Sequence, residues 1–339
     1  MTVRLGINGF GRIGRDILRC VLEQPDSPIE VVAVNDITSP EMLAHLLAYD
    51  STYGRLGTPV EVVDGEAIRA GDHLMQVVSV VNPAELPWGE YGVDVVVEST
   101  GKFRTREAAA AHLTAGARKV VISAPGKDVD ATIVLGVNED DYDPAAHDII
   151  SNASCTTNCV APMAKVLHSA FGIRRGLLTT IHSYTGDQAL LDRPHKDPRR
   201  ARSAAVNVVP TSTGAAKAIG LVLPELAGRL DGVAVRVPVE DGSLTDLTVE
   251  LERPVTAEQI NQAFADAADG DLKGILRYSE APIVSRDIVG DPASCVFDAP
   301  LTKADSHLAK VFGWYDNERG YAARTVELVE LIGRSLTPR

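Results

Sequence analysis

Val3-Arg4-Leu5-Gly6-Ile7-Asn8-Gly9-Phe10-Gly11-Arg12-Ile13-Gly14 opens the chain and decides how the rest of it reads. The short apolar run Val3–Asn8 stops at a glycine cluster, and Arg12–Leu22 then carries apolar residues at helical spacing until Pro25 ends it. The order is strand, turn, helix. Within the turn, Gly9 permits a tight bend, Gly11 lets the backbone approach a pyrophosphate, and Gly14 allows the helix to pack closely on the strand. Phosphates then lie at the helix N-terminus, where unpaired N–H groups and the helix dipole favour anions. A GxGxxG also arises for steric reasons alone and is weak by itself. Asp36 strengthens it. It ends the β-branched run 29–36, 22 residues past Gly14, where a carboxylate accepts hydrogen bonds from ribose hydroxyls and repels a 2′-phosphate. NAD is favoured over NADP.

Further along, Pro40–Ala48 is helical in pattern, and residues 93–97, 119–122 and 132–136 are short apolar runs. Buried strands alternating with helices argue for a parallel sheet covered on both faces. After about residue 150 the texture changes. Leu177-Leu178-Thr179-Thr180-Ile181-His182, Val233-Ala234-Val235-Arg236-Val237 and Asp246-Leu247-Thr248-Val249-Glu250-Leu251 alternate like antiparallel strands with one polar face. The fold class is therefore α/β: a Rossmann-type parallel sheet domain plus a mixed α+β catalytic domain with a largely antiparallel sheet. The tail 321–334 is again helical in pattern, and residues 184–207 form a long polar, basic stretch without periodicity.

The 339 residues permit two domains, and 45% hydrophobic with 23% charged residues describes a compact globular chain rather than a disordered or fibrous one. Lys+Arg total 33 against 46 Asp+Glu, a net charge of −13, so nucleic acid is not an expected partner. Four cysteines make no disulfide framework, Met1 leads straight into an apolar alternation without a secretory pattern, and no apolar run approaches a membrane span. These features point to a cytoplasmic protein away from membranes. No metal site is expected.

Ser151-Asn152-Ala153-Ser154-Cys155-Thr156-Thr157-Asn158-Cys159 leads into the helical pattern 160–171. A cysteine among small hydroxyl residues at a helix N-terminus sits where backbone N–H groups and the dipole stabilise a thiolate, which makes Cys155 the candidate nucleophile. Cys159, one turn on, reads as core packing, as do Cys20 and Cys295 in apolar surroundings. A nucleophilic thiol needs a base. His182 ends a strand and opens the long loop, whereas His45, His112 and His168 lie in helical patterns and read as ordinary surface or partly buried residues; spacing alone does not show that His182 meets Cys155. Thr211-Ser212-Thr213-Gly214-Ala215-Ala216-Lys217 suits either an oxyanion or a plain helix cap. Arg236, a cation in an apolar strand, is a structural ion pair or a phosphate clamp.

With these residues in view, the chain closely resembles the phosphorylating glyceraldehyde-3-phosphate dehydrogenases over essentially its whole length. The resemblance rests on 7–14, 151–159, His182-Ser183-Tyr184-Thr185, 211–217, Arg236-Val237-Pro238 and Trp314-Tyr315-Asp316-Asn317-Glu318. It implies an NAD-binding Rossmann domain over 1–153, with the C-terminal helix of about 318–339 packed on it, and a catalytic domain over 154–317. It also implies that Cys155 attacks the aldehyde of glyceraldehyde 3-phosphate with His182 as base. A thiohemiacetal and then a thioester form with NAD reduction, and inorganic phosphate releases 1,3-bisphosphoglycerate. By the same resemblance Ser154, Thr156, Thr213, Gly214 and Arg200 lie near the attacking phosphate, and Thr185 and Arg236 near the substrate's own phosphate. Arg12 and Ile13 fall at the pyrophosphate with Gly9, Gly11 and Gly14, Asp36 at the adenosine ribose and Ser123 nearby, while Asn317 holds the nicotinamide carboxamide beside Tyr321. The family assembles as a homotetramer with the 184–207 loop at an interface.

Some positions depart from common family patterns. Gly186 stands where many bacterial members carry Asn, and Arg319 where Trp is frequent. Arg193, before Pro194, replaces a frequent apolar residue; a guanidinium there can pair with a 2′-phosphate, so NADP use stays open beside NAD. Two rival readings are an erythrose-4-phosphate dehydrogenase and a non-catalytic NAD-binding thiol sensor built on Cys155 and Cys159. The intact 213–217 turn argues against the first, since a hydrolysing enzyme needs no pocket for attacking phosphate. His182, Arg236 and Asn317 argue against the second.

Overall fold

The computed structural model describes residues 2–337, which fall into two compact units. The first runs from the N-terminus to Ile133 and takes in Asp140–Ala153 and the chain from Ala322 on. It contains β1 (Val3–Asn8), α1 (Arg12–Leu22), β2 (Ile29–Asn35) and α2 (Pro40–Ala48), then a two-stranded ribbon, β3 (Tyr49–Asp50) with β4 (Gly54–Arg55). There follow β5 (Val60–Val63), β6 (Ala67–Ala70), β7 (His73–Val78), β8 (Val95–Glu98), α3 (Arg106–Thr114), β9 (Lys119–Ile122), β10 (Ala131–Thr132) and β11 (Ile149–Ser151).

Nine strands form one sheet in the order β10-β11-β9-β8-β1-β2-β7-β6-β5. From β10 to β7 every pairing is parallel, and the β5–β6–β7 edge is antiparallel. The parallel strands are buried on both faces, so Val31, Val34, Val95, Val97, Val120 and Ile122 read as continuous apolar runs. The chain goes from β1 outward to β2 on one side and returns to β8 on the other. That reversal is where ligands bind at the carboxyl ends of parallel strands. The hairpin edge, with Asp64 and Gly65 at positive φ in its first turn, adds three strands that the sequence reading did not name. The expected strand over 132–136 shrinks to Ala131–Thr132 because Val134 N turns to donate to Asn138 Oδ1.

The second unit comprises Val134–Glu139 and Ser154–Tyr321. It contains α4 (Cys155–Phe171), β12 (Ile173–Ser183), β13 (Val209–Ser212), α5 (Ala215–Val222), β14 (Leu230–Val237), β15 (Ser243–Leu251) and α6 (Ala257–Asp269). It continues with β16 (Leu276–Ser279), β17 (Cys295–Asp298), β18 (Lys303–Asp305), β19 (Leu308–Tyr315) and the first turn of α7 (Arg319–Arg334). The sheet order is β13-β14-β12-β15-β19-β17-β16, with β18 on β19. Only β12–β14 and β16–β17 are parallel. Strand alternation sorts this sheet's two faces. On β12, Leu178, Thr180 and His182 are buried on one face, while Leu177 on the other is 67% exposed.

Candidate active site

Cys155 is the first residue of α4. Ser154 caps that helix, its Oγ accepting from Thr157 N at 3.0 Å, worth about 1 kcal/mol. The preceding Ala153 holds φ +54°, a left-handed conformation that a non-glycine residue adopts only where its surroundings impose it. Parity on β12 turns His182 to the covered face, and Nε2 lies 3.4 Å from Cys155 Sγ. The fold thus makes the pairing that sequence spacing leaves open.

His182 Nδ1 is 2.7 Å from the carbonyl oxygen of Ser183. A carbonyl only accepts and the Arg236 Nη1 at 3.2 Å only donates, and the shorter contact, to the carbonyl, puts the proton on Nδ1 and leaves the Nε2 lone pair facing the thiol. Burial pushes the imidazole down to about 3, helped by the Arg236 cation, whose Nη1 is 3.2 Å from Nδ1. Burial also pushes the Cys155 thiol up to about 11, against the pull of Arg236 and the backbone N–H of Thr156. Desolvation is the largest influence on both groups, and it favours the neutral thiol and the neutral imidazole.

Tyr315 on β19 organises the floor of the site. Its Oη is 2.8 Å from the hydroxyls of both Thr156 on α4 and Thr180 on β12, and its ring meets His182 edge-on at 5.9 Å between centroids. The Thr156 side chain, expected near a phosphate, is therefore buried and engaged. Tyr315 lies inside a motif that the sequence flags without assigning it a part.

Arg236 neighbours His182 in register across β14 and β12. Its Nη1 donates to Thr185 Oγ1 at 2.9 Å and to Ser183 O at 3.1 Å, and its buried Nε has no protein partner. Thr185 in turn bonds Asp187, which accepts from Arg200 Nη1 at 2.9 Å. Burial alone would raise the Asp187 carboxyl, yet the Thr185 hydroxyl and the Arg236 and Arg200 cations hold it below the usual carboxylate range. Arg200 Nε also donates to Thr211 Oγ1 at 3.0 Å. Asp187, which sequence reasoning passed over, is the resident anion among these cations. Its only signal was its place two residues after Thr185.

Thr213 Oγ1 accepts from Ala215 N at 3.2 Å, and Gly214 begins α5 with open space where a Cβ would stand. The Asn317 amide oxygen accepts from Ser183 Oγ at 2.8 Å and Ser243 Oγ at 2.6 Å, which fixes its NH2 as the group left to donate elsewhere. Tyr321 is buried. Cys159 points away from Cys155: its thiol is 3.6 Å from Gly313 O and 4.0 Å from Met163 Sδ.

In the first unit, Gly9 sits at φ +92°, and a Cβ on Gly14 would stand 2.3 Å from Gly9 O. Gly11 caps α1 with no side-chain hydrogen bond and nothing near its missing Cβ, so an anion can approach the first turn of the helix closely. Asp36 is held at this turn by Phe10 N at 2.9 Å. The Arg12 side chain pairs with Asp50 at 2.5 Å, and Ser123 Oγ donates to Glu98 O at 3.1 Å. This donor set fits a dinucleotide. His112 departs from expectation: it is wholly buried, bonded to Trp88 and Glu98.

Residues 3–106 match the family described as glyceraldehyde 3-phosphate dehydrogenase, NAD binding domain, and residues 154–317 match its C-terminal domain. The glyceraldehyde-3-phosphate dehydrogenase of Mycobacterium avium is 61% identical over 340 aligned positions, and that of Streptomyces coelicolor 59% over 338. Glyceraldehyde-3-phosphate dehydrogenase 2 of Streptomyces arenae is 58% identical over 336. Each alignment spans 99% of this chain and the whole of the relative. A thiol and an imidazole in contact on one unit, a glycine turn between strand and helix on the other and full-length identity at this level agree: the chain belongs to the glyceraldehyde-3-phosphate dehydrogenase family.

Proposed function

We propose that this chain oxidises glyceraldehyde 3-phosphate to 1,3-bisphosphoglycerate in glycolysis and gluconeogenesis, with NAD and inorganic phosphate as co-substrates. The observation that carries the reading is the Cys155 Sγ to His182 Nε2 approach of 3.4 Å beside the Arg236 cation. Cys155 Sγ adds to the aldehyde carbon while its proton passes to Nε2, and the imidazolium returns that proton to the carbonyl oxygen. Nε2 next removes the hydroxyl proton of the thiohemiacetal. Bound NAD supplies the acceptor for the hydride that leaves the same carbon. An oxygen of hydrogen phosphate then attacks the resulting thioester, the Cys155 sulfur leaves and takes back the proton held on His182 Nε2, and the phosphate proton passes to water. With Nε2 held toward the thiol, His182 is placed to take a proton from sulfur and from the hydroxyl in turn.

Arg236 and Thr185 are read as the clamp on the substrate's phosphate, with the unpartnered Arg236 Nε turned to it. Ser154, Thr156, Thr213, Gly214 and Arg200 are read as the surroundings of the attacking phosphate. Gly9, Gly11, Gly14, Arg12, Ile13 and Asp36 hold the dinucleotide with Ser123, and Asn317 with Tyr321 orients the nicotinamide. The domains of this reading are 1–153 with the C-terminal helix, and 154–317.

A homotetramer is part of the same reading. Leu190, Leu191, Val206 and Val208 on and beside the long loop are each more than 60% exposed, and the open face of the second sheet leaves Leu177, Val233 and Leu308 half or more exposed. Such apolar area on a folded protein marks a contact surface. None of the four cysteines forms a disulfide, as suits a cytoplasmic enzyme with a working thiol. No helix among the described residues is long and apolar enough to cross a membrane.

The deciding experiment measures reduced-nicotinamide formation from glyceraldehyde 3-phosphate and NAD with and without inorganic phosphate, beside Cys155→Ser. Sustained turnover requiring both phosphate and Cys155 is expected. Turnover undiminished without phosphate would mean thioester hydrolysis and would remove the phosphate reading of Thr213.

A further inference from the structure

Outside the thiol site, the most constrained polar cluster lies at the point where the parallel sheet reverses its strand order. Glu98 ends β8 there, its side chain wholly buried. Trp88 Nε1 donates to His112 Nδ1 at 3.0 Å, and an indole N–H only donates. The neutral ring therefore carries its proton on Nε2, which donates to Glu98 Oε2 at 3.0 Å. From the other side, Val80 N donates to Asn35 Oδ1 at 2.9 Å and Asn35 Nδ2 donates to Val80 O at 2.9 Å, which orients that amide. Asn35 Nδ2 also donates to Asn8 Oδ1 at 2.7 Å, so Asn8 must turn its own Nδ2 to Glu98 Oε2, at 2.5 Å. The second carboxylate oxygen accepts from Thr100 N at 2.8 Å and from the Thr100 hydroxyl, whose lone pair is taken by Lys102 N at 3.1 Å.

Four donors thus converge on Glu98, and three of them, Asn8 Nδ2, His112 Nε2 and Thr100 N, cannot reverse. Only a carboxylate accepts all four. A glutamine, whichever way its amide is turned, would set an NH2 against at least one fixed donor, Thr100 N on one side or Asn8 Nδ2 and His112 Nε2 on the other. A buried charge of this kind is kept only where every acceptor position is filled. The residues it ties down are those flanking Gly9. Gly9 N donates to Asn35 O at 2.8 Å, Ser99 Oγ donates to Gly9 O at 2.6 Å, and a Cβ on Gly9 would stand 2.7 Å from Thr100 N. The turn after β1 and the turn after β8 lie against each other with no slack.

We propose that Glu98 is a positioning residue for the dinucleotide: by accepting from Asn8 and Thr100 it clamps the two turns at the sheet reversal and sets the backbone of Gly9. The proposal rests on the NAD reading above. Its test is the dissociation constant of NAD for the ligand-free protein by calorimetry, with thermal unfolding and kcat at saturating NAD in parallel. Glu98→Gln should weaken NAD binding at least about tenfold and leave kcat within about threefold. Trp88→Phe, which cuts the chain at its far end, should lower Tm yet leave NAD affinity within about twofold. The double variant Asn8→Asp with Glu98→Gln exchanges acid and amide across the 2.5 Å contact, leaves only His112 Nε2 as a donor facing the new amide, and should recover part of the lost affinity.

Glu98→Gln binding NAD like wild type, or losing no more affinity than Trp88→Phe, overturns the proposal. Should Glu98→Gln not fold, the exchange variant decides: folding with NAD bound supports the clamp, and failure to fold or bind overturns it. Absence of NAD binding by the wild-type protein would instead sink the underlying NAD reading, and the clamp with it.

Discussion

Two histidines in this molecule are equally buried and do opposite things. His112, in the first unit, accepts on Nδ1 from Trp88 and donates from Nε2 to Glu98, so both nitrogens are engaged by buried side chains of the first unit. His182, in the second, donates from Nδ1 to Ser183 O and turns the Nε2 lone pair to the Cys155 thiol. The tautomers are opposite: an indole N–H sets one, and the shorter of two contacts, to a peptide carbonyl, sets the other. Burial does not distinguish a strut from a base. What distinguishes them is whether the second nitrogen donates to a buried carboxylate or turns a lone pair to a thiol.

The largest expected effect separates the two histidines outright. His182→Asn should lower turnover with glyceraldehyde 3-phosphate by about 10²–10⁴-fold while circular dichroism and Tm show a folded protein. His112→Ala should do the reverse, costing about 2–4 kcal/mol of stability to chemical denaturation through the stranded Trp88 and Glu98 groups and the cavity left behind, with kcat within about threefold. Equal loss of turnover in both would erase the distinction.

The resting state of the thiol sharpens the comparison further. With Cys155 pushed up to about 11 and His182 down to about 3, alkylation of ligand-free protein by iodoacetamide should accelerate about tenfold per pH unit from pH 7 toward 10. A plateau near pH 6 would reveal a thiolate–imidazolium pair instead. Arg236 favours the thiolate and disfavours the imidazolium, so Arg236→Leu should raise both groups and slow alkylation at a fixed pH.

A smaller effect concerns stability. Native His182 refuses a proton that the unfolded chain accepts below about 6.5, so stability attributable to it is complete above that pH and falls as pH drops toward about 3. Native Cys155 keeps a proton that the unfolded chain gives up, so its contribution is complete below the ordinary thiol range and falls as pH rises toward about 11. Urea titrations across pH should therefore show a flatter acid limb for His182→Asn and a flatter alkaline limb for Cys155→Ser. Parallel limbs in variant and wild type would contradict these shifts.

Local rules made much of the fold legible. Arg12–Leu22 and Pro40–Ala48 form as helices over those spans, because 3.6-residue spacing and flanking breakers act within a few residues. The helix with Cys155 begins earlier than its apolar pattern, since Ser154 supplies the cap and hydroxyl residues fill its first turn. The β5–β7 hairpin left no clear trace, its strands being half-covered and broken by turn residues. At the site, Cys155 stands out by its position on a helix and His182 by its position at a strand end. Tyr315, Asp187 and Asn8 do not stand out, because their importance lies in partners 159, 13 and 90 residues away in the chain.

The sequence by itself determined the opening strand, turn and helix, the change from buried strands with helices to alternating strands, the glycine turn with Asp36 at its side, and a cysteine at the head of a helix, since each depends on backbone preference over a handful of neighbouring residues. Only the tertiary structure decided which histidine meets that cysteine, which tautomer each buried histidine holds, that burial favours the neutral thiol at Cys155, and that four donors close on Glu98. Those are matters of distance and dielectric between segments far apart in the chain, and they exist only once the sheets have brought the segments together.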